Sequence, residues 1–208
     1  MKKVSPVFAL SFASVLASWG LCASVAHAAG DATKGESKAT TCIACHGPQG
    51  NSANPEWPVL AGQHEQYVHK QLQAFKSGAR KNPLMSPMAM SLSDEDMADL
   101  GAYFSTQKPT GKETDAGKLQ LGQRIFRSGD PKTGAPACAS CHGPTGAGNP
   151  PAGYPALRGQ YATYVAAQLR AYRAGTRQTD PNQMMRNVAG TMSDEQIDAV
   201  ASYVQGLR

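Results

Sequence analysis

Two short stretches of the sequence bring together residue types that could hold a metal-containing group. Residues 42–48 read Cys-Ile-Ala-Cys-His-Gly-Pro, and residues 138–144 read Cys-Ala-Ser-Cys-His-Gly-Pro. Two cysteines three positions apart can bond covalently to the two vinyl groups of a haem, while the histidine that follows binds the iron. The sequence therefore predicts two covalently bound haem c groups. The expected attachment residues are Cys42, Cys45, Cys138 and Cys141, and the expected first axial ligands are His46 and His142.

Other uses of paired cysteines fit the sequence less well. A structural zinc site does not need a histidine after each cysteine pair, and the two pairs here lie far apart in the chain. A thioredoxin-like redox pair belongs near a βαβ pattern, which the sequence does not show. Two copies of the full motif, in a chain that also carries an export signal, favour haem attachment.

The N-terminus has the features of a secretory signal. A basic Met-Lys-Lys start precedes a mostly apolar run over residues 4–21, and residues 26–28 read Ala-His-Ala, which has the form of a cleavage site. We expect residues 1–28 to be a cleaved signal peptide and the mature chain to lie in the periplasm. Scattered serines make the apolar run a poor membrane-spanning helix. Cys22 would leave with the signal, so the four remaining cysteines are all assigned to haem.

The net charge of the chain gives no reason to expect a nucleic-acid partner. Loss of Lys2 and Lys3 with the signal lowers the formal net charge from +5 to +3. The propionates of two haems would offset this remainder. The basic isoelectric point is therefore no argument for nucleic-acid binding, and no nucleic-acid partner is predicted.

An internal repeat divides the mature chain. Gly62 and Gln63 recur as Gly159 and Gln160, and the Ser-Asp-Glu of residues 93–95 recurs at residues 193–195. Tyr-Val and Gln-Leu pairs between them recur in the same order. Such repetition indicates two homologous domains. We predict an N-terminal domain at residues 29–106, a polar linker at 107–117 and a C-terminal domain at 118–208.

Both predicted domains carry helical patterns. Val68, Leu72 and Phe75 fall at i, i+4 and i+7, which is one stripe of an amphipathic helix, and the second domain repeats this stripe. Ser93 and Ser193 are each followed three residues later by a side chain suited to a capping box, which predicts the start of a last helix in each domain. No segment alternates as a strand does, so the expected fold class is all-α.

Methionine is the expected sixth ligand of each iron, because a neutral thioether favours the ferrous state and raises the potential. Three candidate methionines, at 85, 88 and 90, precede the first of these helices and two, at 184 and 185, precede the second. The offset of 100 residues between the capping serines pairs only Met85 with Met185. We therefore assign Met85 and Met185 as axial ligands, with Met88 as the alternative in the first domain and Met184 in the second.

Bis-histidine ligation would need one of the two remaining histidines of the mature chain, His64 and His69. Their repeat partners are Tyr161 and Ala166, so such a ligand would exist in one domain only. We interpret both histidines as exposed helix residues.

The whole mature chain resembles the dihaem cytochrome c4 family. The resemblance rests on the tandem haem motifs, each followed by Gly-Gln and a helix, and on a methionine before Leu-Ser-Asp-Glu or Met-Ser-Asp-Glu and a terminal helix containing Ala-Tyr-Phe or Ser-Tyr-Val. The family implies two tandem class I cytochrome c domains related by a pseudo-twofold axis, with one covalent haem c each. It also implies that the haem propionate edges face each other across the interface.

The resemblance implies a role for two prolines near the haems, and the repeat suggests one for two arginines. In such folds a proline carbonyl receives the ring N–H of the proximal histidine, and Pro58 and Pro155 lie at about the right distance in the sequence. Arg80 and Arg177 recur between helices. We expect them either to pair with haem propionates or to lie at solvated helix ends.

Two further features follow from comparing the halves. Gly35 and Gly122 resemble the first-helix glycine that lets the terminal helix approach closely, near Tyr103 or Tyr203. The second half also carries an insertion, Ser128–Ala135, before its haem motif. This loop would alter haem exposure or the choice of partner.

Electron transfer is the leading function. Two six-coordinate irons leave no open position for a substrate, so the protein is expected to be a carrier and not an enzyme. The resemblance implies a membrane quinol-oxidising complex or another redox protein as donor, a haem-copper terminal oxidase of a respiratory chain as acceptor, and peripheral membrane association. The alternatives are the dihaem cytochrome subunit of a flavocytochrome of the sulfide dehydrogenase type, and a dihaem peroxidase with one open iron.

Overall fold

The computed structural model describes Met1 and residues 29–208. Apart from Met1, the signal peptide predicted at residues 1–28 lies outside the described residues. Within the described part the secondary structure is helical, and β-type pairing is limited to two isolated bridges, Asp130 with Ala135 and Asn149 with Tyr154. The expected all-α class is confirmed. No described helix combines the length and the apolar character needed to cross a membrane.

Within residues 29–208, five α-helices in each half follow the same order. The first half contains α1 (Ala32–Lys38), α2 (Thr40–His46), α3 (Glu65–Ser77), α4 (Met85–Met90) and α5 (Asp94–Thr106). The second half contains α6 (Leu119–Ser128), α7 (Ala139–His142), α8 (Ala162–Arg173), α9 (Met184–Gly190) and α10 (Asp194–Gly206). In both halves a short helix ends on the motif histidine, and another short helix carries the candidate methionine.

The terminal helices α5 and α10 begin at the predicted capping boxes. Ser93 Oγ accepts a hydrogen bond from Asp96 N at 3.1 Å, and Asp96 Oδ2 accepts one from Ser93 N at 2.8 Å. Ser193 and Gln196 form the same pair of bonds at 3.2 and 2.9 Å. Each box satisfies two amide groups that the first turn of a helix would otherwise leave unpaired.

The apolar faces predicted for α5 and α10 form the core of each half. Met97, Leu100 and Phe104 of α5 are buried. Ile197, Val200 and Val204 of α10 are buried as well. Burial of these apolar side chains is the main stabilising contribution available to two such small domains. It also fixes the helices around each haem motif.

Gly35 and Gly122 lie where the first helix of each half crosses the last. A Cβ atom on Gly35 would lie 2.0 Å from the Asp99 carbonyl oxygen, and one on Gly122 would lie 2.2 Å from that of Ala199. The added atom would also lie 2.8 Å from Tyr103 Cβ in the first case and 2.7 Å from Tyr203 Cβ in the second. The close helix approach expected at these glycines is confirmed.

The insertion at Ser128–Ala135 folds back on itself. The Asp130 amide donates to the Ala135 carbonyl at 2.8 Å, and Gln196 Nε2 donates to Asp130 Oδ2 at 2.7 Å. The insertion is therefore tied to the first turn of α10.

The segment predicted as a linker is held against both halves. In the first half, Asn51 accepts a hydrogen bond from Thr110 N at 2.8 Å and donates one to the Lys108 carbonyl at 3.0 Å. In the second half, Gln205 Nε2 donates to the Glu113 carbonyl at 2.7 Å. These bonds fix the path between α5 and α6.

Candidate haem sites

Each motif histidine is the last residue of a short helix and is oriented by a proline. Nδ1 of His46 lies 2.9 Å from the Pro58 carbonyl oxygen, and Nδ1 of His142 lies 2.9 Å from that of Pro155. A carbonyl oxygen only accepts, so Nδ1 carries the proton and donates. In the neutral ring this leaves the lone pair on Nε2 for a metal. The two contacts expected of Pro58 and Pro155 are therefore present.

Burial keeps both imidazoles in the form that binds iron. His46 and His142 are each 6% exposed. Burial lowers the pKa of both histidines, and the proline carbonyls only partly oppose this effect. A neutral imidazole is the ligand form, because a protonated Nε2 has no lone pair to give.

The cysteines are placed alike in the two motifs. Cys42 and Cys138 are half-buried, Cys45 and Cys141 are exposed, and all four are free thiols. Burial raises the pKa of Cys42, and it raises that of Cys138 to about 11. The arrangement fits covalent attachment of a haem, since each motif presents two unpaired thiols beside an imidazole with a free Nε2.

The candidate methionines lie at the start of the fourth helix of each half. Met85 and Met185 are both half-buried, and four residues after each of them Ala89 and Ala189 are fully buried. Residues four apart share one face of a helix, so both methionines lie on the inward face. Met88, the alternative in the first half, is 44% exposed.

Met184 stays the alternative in the second half because of one contact. Its sulfur lies 3.9 Å from Tyr154 Oη, and the Tyr154 ring centroid lies 6.2 Å from that of His142. Met184 therefore also lies near the second motif. The assignment of Met185 rests on the repeat and on the shared helix face.

Arg80 and Arg177 form a cluster between the two halves. Arg177 is 5% exposed and Arg80 is half-buried, which overturns the alternative of a solvated helix end for Arg177. Each guanidinium bonds a glutamine of its own half and both a tyrosine and a glutamine of the other half, over 2.7 to 2.9 Å. The partners are Gln71, Tyr164 and Gln168 for Arg80, and Gln168, Tyr67 and Gln71 for Arg177.

This cluster lacks a negative charge among the described residues. No carboxylate of residues 29–208 forms an ion pair with Arg80 or Arg177. A buried guanidinium stays charged and is costly to bury without an anion. Two such groups side by side fit the carboxylates of haem propionates.

The two other histidines are not the exposed residues that the sequence predicted. His69 is 8% exposed, and its Nε2 lies 2.9 Å from Asp94 Oδ1 at the start of α5. His64 is half-buried, and its Nε2 is enclosed close to Gly148 of the other half. Spacing along one helix reveals neither the contact that His64 makes with the second domain nor the contact that His69 makes with another helix of its own domain.

Sequence reasoning also missed the role of the repeated tyrosines and glutamines. Tyr67 and Tyr164, with Gln71 and Gln168, recur in the repeat, and in the sequence alone this recurrence indicates duplication. The signal that could have found them is their persistence as polar residues on helices whose apolar stripe was already assigned.

Comparisons with known proteins find similar sequences and a similar structure. A sequence model of the family described as cytochrome c matches residues 32–108 and 119–208. The chain is 48% identical over 193 residues to cytochrome c4 of Azotobacter vinelandii, covering 88% of this chain and 92% of that protein. It is 44% identical over 173 residues to the thiosulfate dehydrogenase electron acceptor of Thiomonas intermedia, covering 80% and 78%.

A solved structure agrees as well. The crystal structure of reduced recombinant cytochrome c4 from Pseudomonas stutzeri superposes with a TM-score of 0.84 at 45% identity, covering 86% of this chain and all of that one. The two tandem cytochrome c domains and the haem cofactor expected from the sequence are thereby confirmed. The chain belongs to the cytochrome c4 family of electron carriers, which hold two covalently bound haem c groups.

Proposed function

We propose that this electron carrier works in the periplasm of its cell and passes electrons through two His/Met-ligated haems toward a haem-copper terminal oxidase. The main support for His/Met ligation is that the two halves contain equivalent sites. Each has a buried neutral imidazole bonded to a proline carbonyl at 2.9 Å and a methionine on the inward face of the fourth helix. The relatives named cytochrome c4 support the role of a carrier.

Separate residues would attach each haem and bind its iron. Cys42 and Cys45 hold one haem and Cys138 and Cys141 the other, which fixes each group against its imidazole. When bound, the haem irons supply one-electron chemistry between the ferric and ferrous states. Met85 and Met185 would bind the irons together with His46 and His142, which would keep substrates and small gases from the metal. A ligand set that is the same in both oxidation states would leave little rearrangement to oppose transfer.

The arginine cluster is proposed to hold the propionates at the domain interface. Arg80 and Arg177 are the cations that the two halves bring together, and their charge is otherwise uncompensated among residues 29–208. Neutralised propionates from both haems would then lie close to each other. This arrangement supports electron exchange between the two halves.

The first test is a set of spectra on the purified mature protein. We expect two haems per chain by pyridine haemochrome assay, a weak far-red sulfur-to-iron band in the oxidised form, and no reaction of the reduced form with carbon monoxide. High-spin character or carbon monoxide binding at one haem would contradict the proposal and favour a dihaem peroxidase.

A second candidate concerns the electron donor. One relative is named a thiosulfate dehydrogenase electron acceptor and is 44% identical over most of its length. This observation favours a periplasmic dehydrogenase of a reduced sulfur compound as donor, in place of a quinol-oxidising complex. A flavocytochrome partner would instead copurify with flavin.

Stopped-flow mixing separates these partners. The oxidised protein is mixed with thiosulfate and a thiosulfate dehydrogenase, or with a quinol-oxidising complex and quinol, and haem reduction is followed. The reduced protein is mixed with membranes that contain a haem-copper oxidase, and cyanide-sensitive reoxidation supports the proposed acceptor. Fractionation of cells by osmotic shock tests the periplasmic location.

A further inference from the structure

Gln63 and Gln160 recur in the sequence repeat, and each reaches into the other half of the molecule. Gln160 Nε2 donates to the Val59 carbonyl at 2.8 Å, and Gln160 Oε1 accepts from Val59 N at 2.9 Å. Gln63 makes the same two bonds with Ala156, at 2.9 and 3.0 Å. Both glutamines are 8% exposed. The side-chain amides thus pair with opposite backbone segments as a neighbouring strand would.

The segments that they bind are those that orient the motif histidines. The peptide group between Pro58 and Val59 presents its oxygen to His46 and its N–H to Gln160. The peptide group between Pro155 and Ala156 presents its oxygen to His142 and its N–H to Gln63. A single peptide group therefore joins each proximal imidazole to a glutamine of the other domain.

Such a chain of hydrogen bonds has an electronic consequence. An N–H that donates to a good acceptor polarises its peptide group, so the oxygen of the same group becomes a better acceptor. A better acceptor draws the Nδ1 proton and makes the imidazole a more basic ligand. Because Val59 and Gln160 are buried, water does not replace the bond. A more basic imidazole favours ferric iron and lowers the potential.

The glutamines are held rigidly enough to act in this way. Gly62 and Gly159, which precede them, have φ of +69° and +70°, a conformation that glycine adopts without strain. Their amides donate to Phe104 O at 2.9 Å and to Val204 O at 3.1 Å, at the ends of α5 and α10. Each glutamine is therefore anchored to the terminal helix of its own domain.

We infer that Gln63 and Gln160 are positioning residues that act across the domain interface, so that each domain sets part of the redox potential of the other domain's haem. The inference rests on the proposed ligation by His46 and His142. It predicts a crossed pattern: a change in the C-terminal domain shifts the N-terminal haem, and the reverse. A glutamine that only stabilised the interface between the domains would not produce this crossed pattern.

The experiment compares Gln160→Met and Gln63→Met in the mature dihaem protein. The two potentials are measured by spectroelectrochemistry and assigned to haems by NMR of the haem methyl groups. We expect Gln160→Met to raise the ferrous-to-ferric ratio of the N-terminal haem roughly threefold at fixed potential. This is about 30 mV at 59 mV per tenfold change for one electron. Gln63→Met should do the same to the C-terminal haem only.

The matched control is Gln205→Met. Gln205 also bonds two backbone groups, Ala162 N at 2.9 Å and Glu113 O at 2.7 Å, but neither belongs to a peptide group that faces a motif histidine. It should leave both potentials unchanged. Exchange of the His46 ring N–H with solvent, followed by NMR, should be faster in Gln160→Met and unchanged in Gln205→Met.

A second variant serves where Gln160→Met does not assemble. Gln160→Glu keeps an oxygen that accepts from Val59 N, so the N-terminal haem should not rise in potential and its ring N–H should stay protected. Unchanged potentials in both methionine variants, a shift of the haem in the same domain, or equal shifts of both haems would overturn the inference. The wild-type spectrum, taken first, reports separately whether the His/Met ligation itself is wrong.

Discussion

At the scale of the residue, the sites combine a buried imidazole with a hydrogen-bond acceptor that fixes its tautomer. His46 and His142 were predictable from the Cys-x-x-Cys-His spacing alone, because covalent attachment demands that order. The proline carbonyls were found through resemblance and are present at 2.9 Å in both halves. The spacing of the repeat favours Met185 over Met184, and because both lie at the start of α9 this assignment stays a prediction.

Replacement of the two methionines decides this choice. We expect Met185→Ala to remove about half of the far-red absorption band and to let carbon monoxide bind one haem per chain. Loss of the thioether also removes a ligand that favours ferrous iron, so the potential of that haem should fall. Optical titration with carbon monoxide measures the first effect.

Met184→Ala provides the comparison. The thioether of Met184 contacts Tyr154 Oη, so this variant should change the packing around Tyr154 and keep the far-red band. A band that survives in Met185→Ala and disappears in Met184→Ala would reverse the assignment.

At the scale of the element, the first and last helices of each half depend on glycine. A methyl group on Gly122 would meet the Ala199 carbonyl oxygen at 2.2 Å, and backbone cannot move aside as a side chain can. We expect Gly122→Ala to lower the free energy of unfolding by about 3 kcal/mol, the upper range for overpacking of a core. Thermal unfolding followed by circular dichroism measures it.

The control for this variant lies in the same half. Gly190 ends α9 and has no atom within 4 Å of where a Cβ would be. Gly190→Ala should leave stability unchanged or raise it slightly, because alanine costs less conformational entropy than glycine in a helix. Equal destabilisation by both variants would show that the crossing of α6 and α10 is not the cause.

Asp99 ties α5 to the start of α1 and makes the fold sensitive to acid. Its carboxylate accepts from Lys38 Nζ at 2.6 Å and from Asp31 N at 2.7 Å. The Lys38 ammonium, followed by the Asp31 amide, holds the pKa of Asp99 below its ordinary value. A carboxyl whose pKa is depressed on folding adds stability above its unfolded pKa, near 4, and loses it as the pH falls through the folded pKa.

Replacement by the amide tests this linkage. Asp99→Asn should lower the free energy of unfolding at pH 7 by roughly 2 kcal/mol, because the Lys38 ammonium and the Asp31 amide both lose a charged acceptor that is buried. The difference from the wild type should shrink steadily below pH 4. Denaturant unfolding at several pH values measures it, and a difference that stayed constant down to pH 2 would contradict the linkage.

At the scale of the whole molecule, the two halves share an interface whose contacts occur in reciprocal pairs. The duplication, the helical class and the core faces of α5 and α10 were predictable, because local periodicity and repetition record them. The interface was not, because Gln63, Arg177 and His64 are residue types typical of a solvated surface, and the sequence does not show that each of them contacts the other domain. Polar residues that recur at the same positions of an internal repeat are the sequence feature that indicates such an interface.

The arginine cluster gives the interface its charge, and its removal should affect both haems at once. Arg177 is buried, bonds Tyr67 and Gln71 of the N-terminal half, and stacks on Tyr172 of its own half at 4.7 Å from the ring centroid. A nearby positive charge disfavours ferric iron, so we expect Arg177→Gln to lower both potentials. A tenfold change in the ferrous-to-ferric ratio, about 60 mV, is the expected order for a buried charge close to the propionates.

Arg170→Gln is the matched control, because Arg170 lies on α8 and is already paired with Asp194 and Asp198 at the surface. It should leave both potentials within a few millivolts of the wild type, since an exposed pair is screened by solvent. The direction of the potential shift, and whether one haem or both are affected, then distinguish the role of the arginine cluster from that of the glutamines. Loss of Arg177 lowers both potentials, whereas loss of Gln160 raises one. Potentials unaffected by Arg177→Gln in a correctly folded protein would mean that the propionates lie away from the cluster.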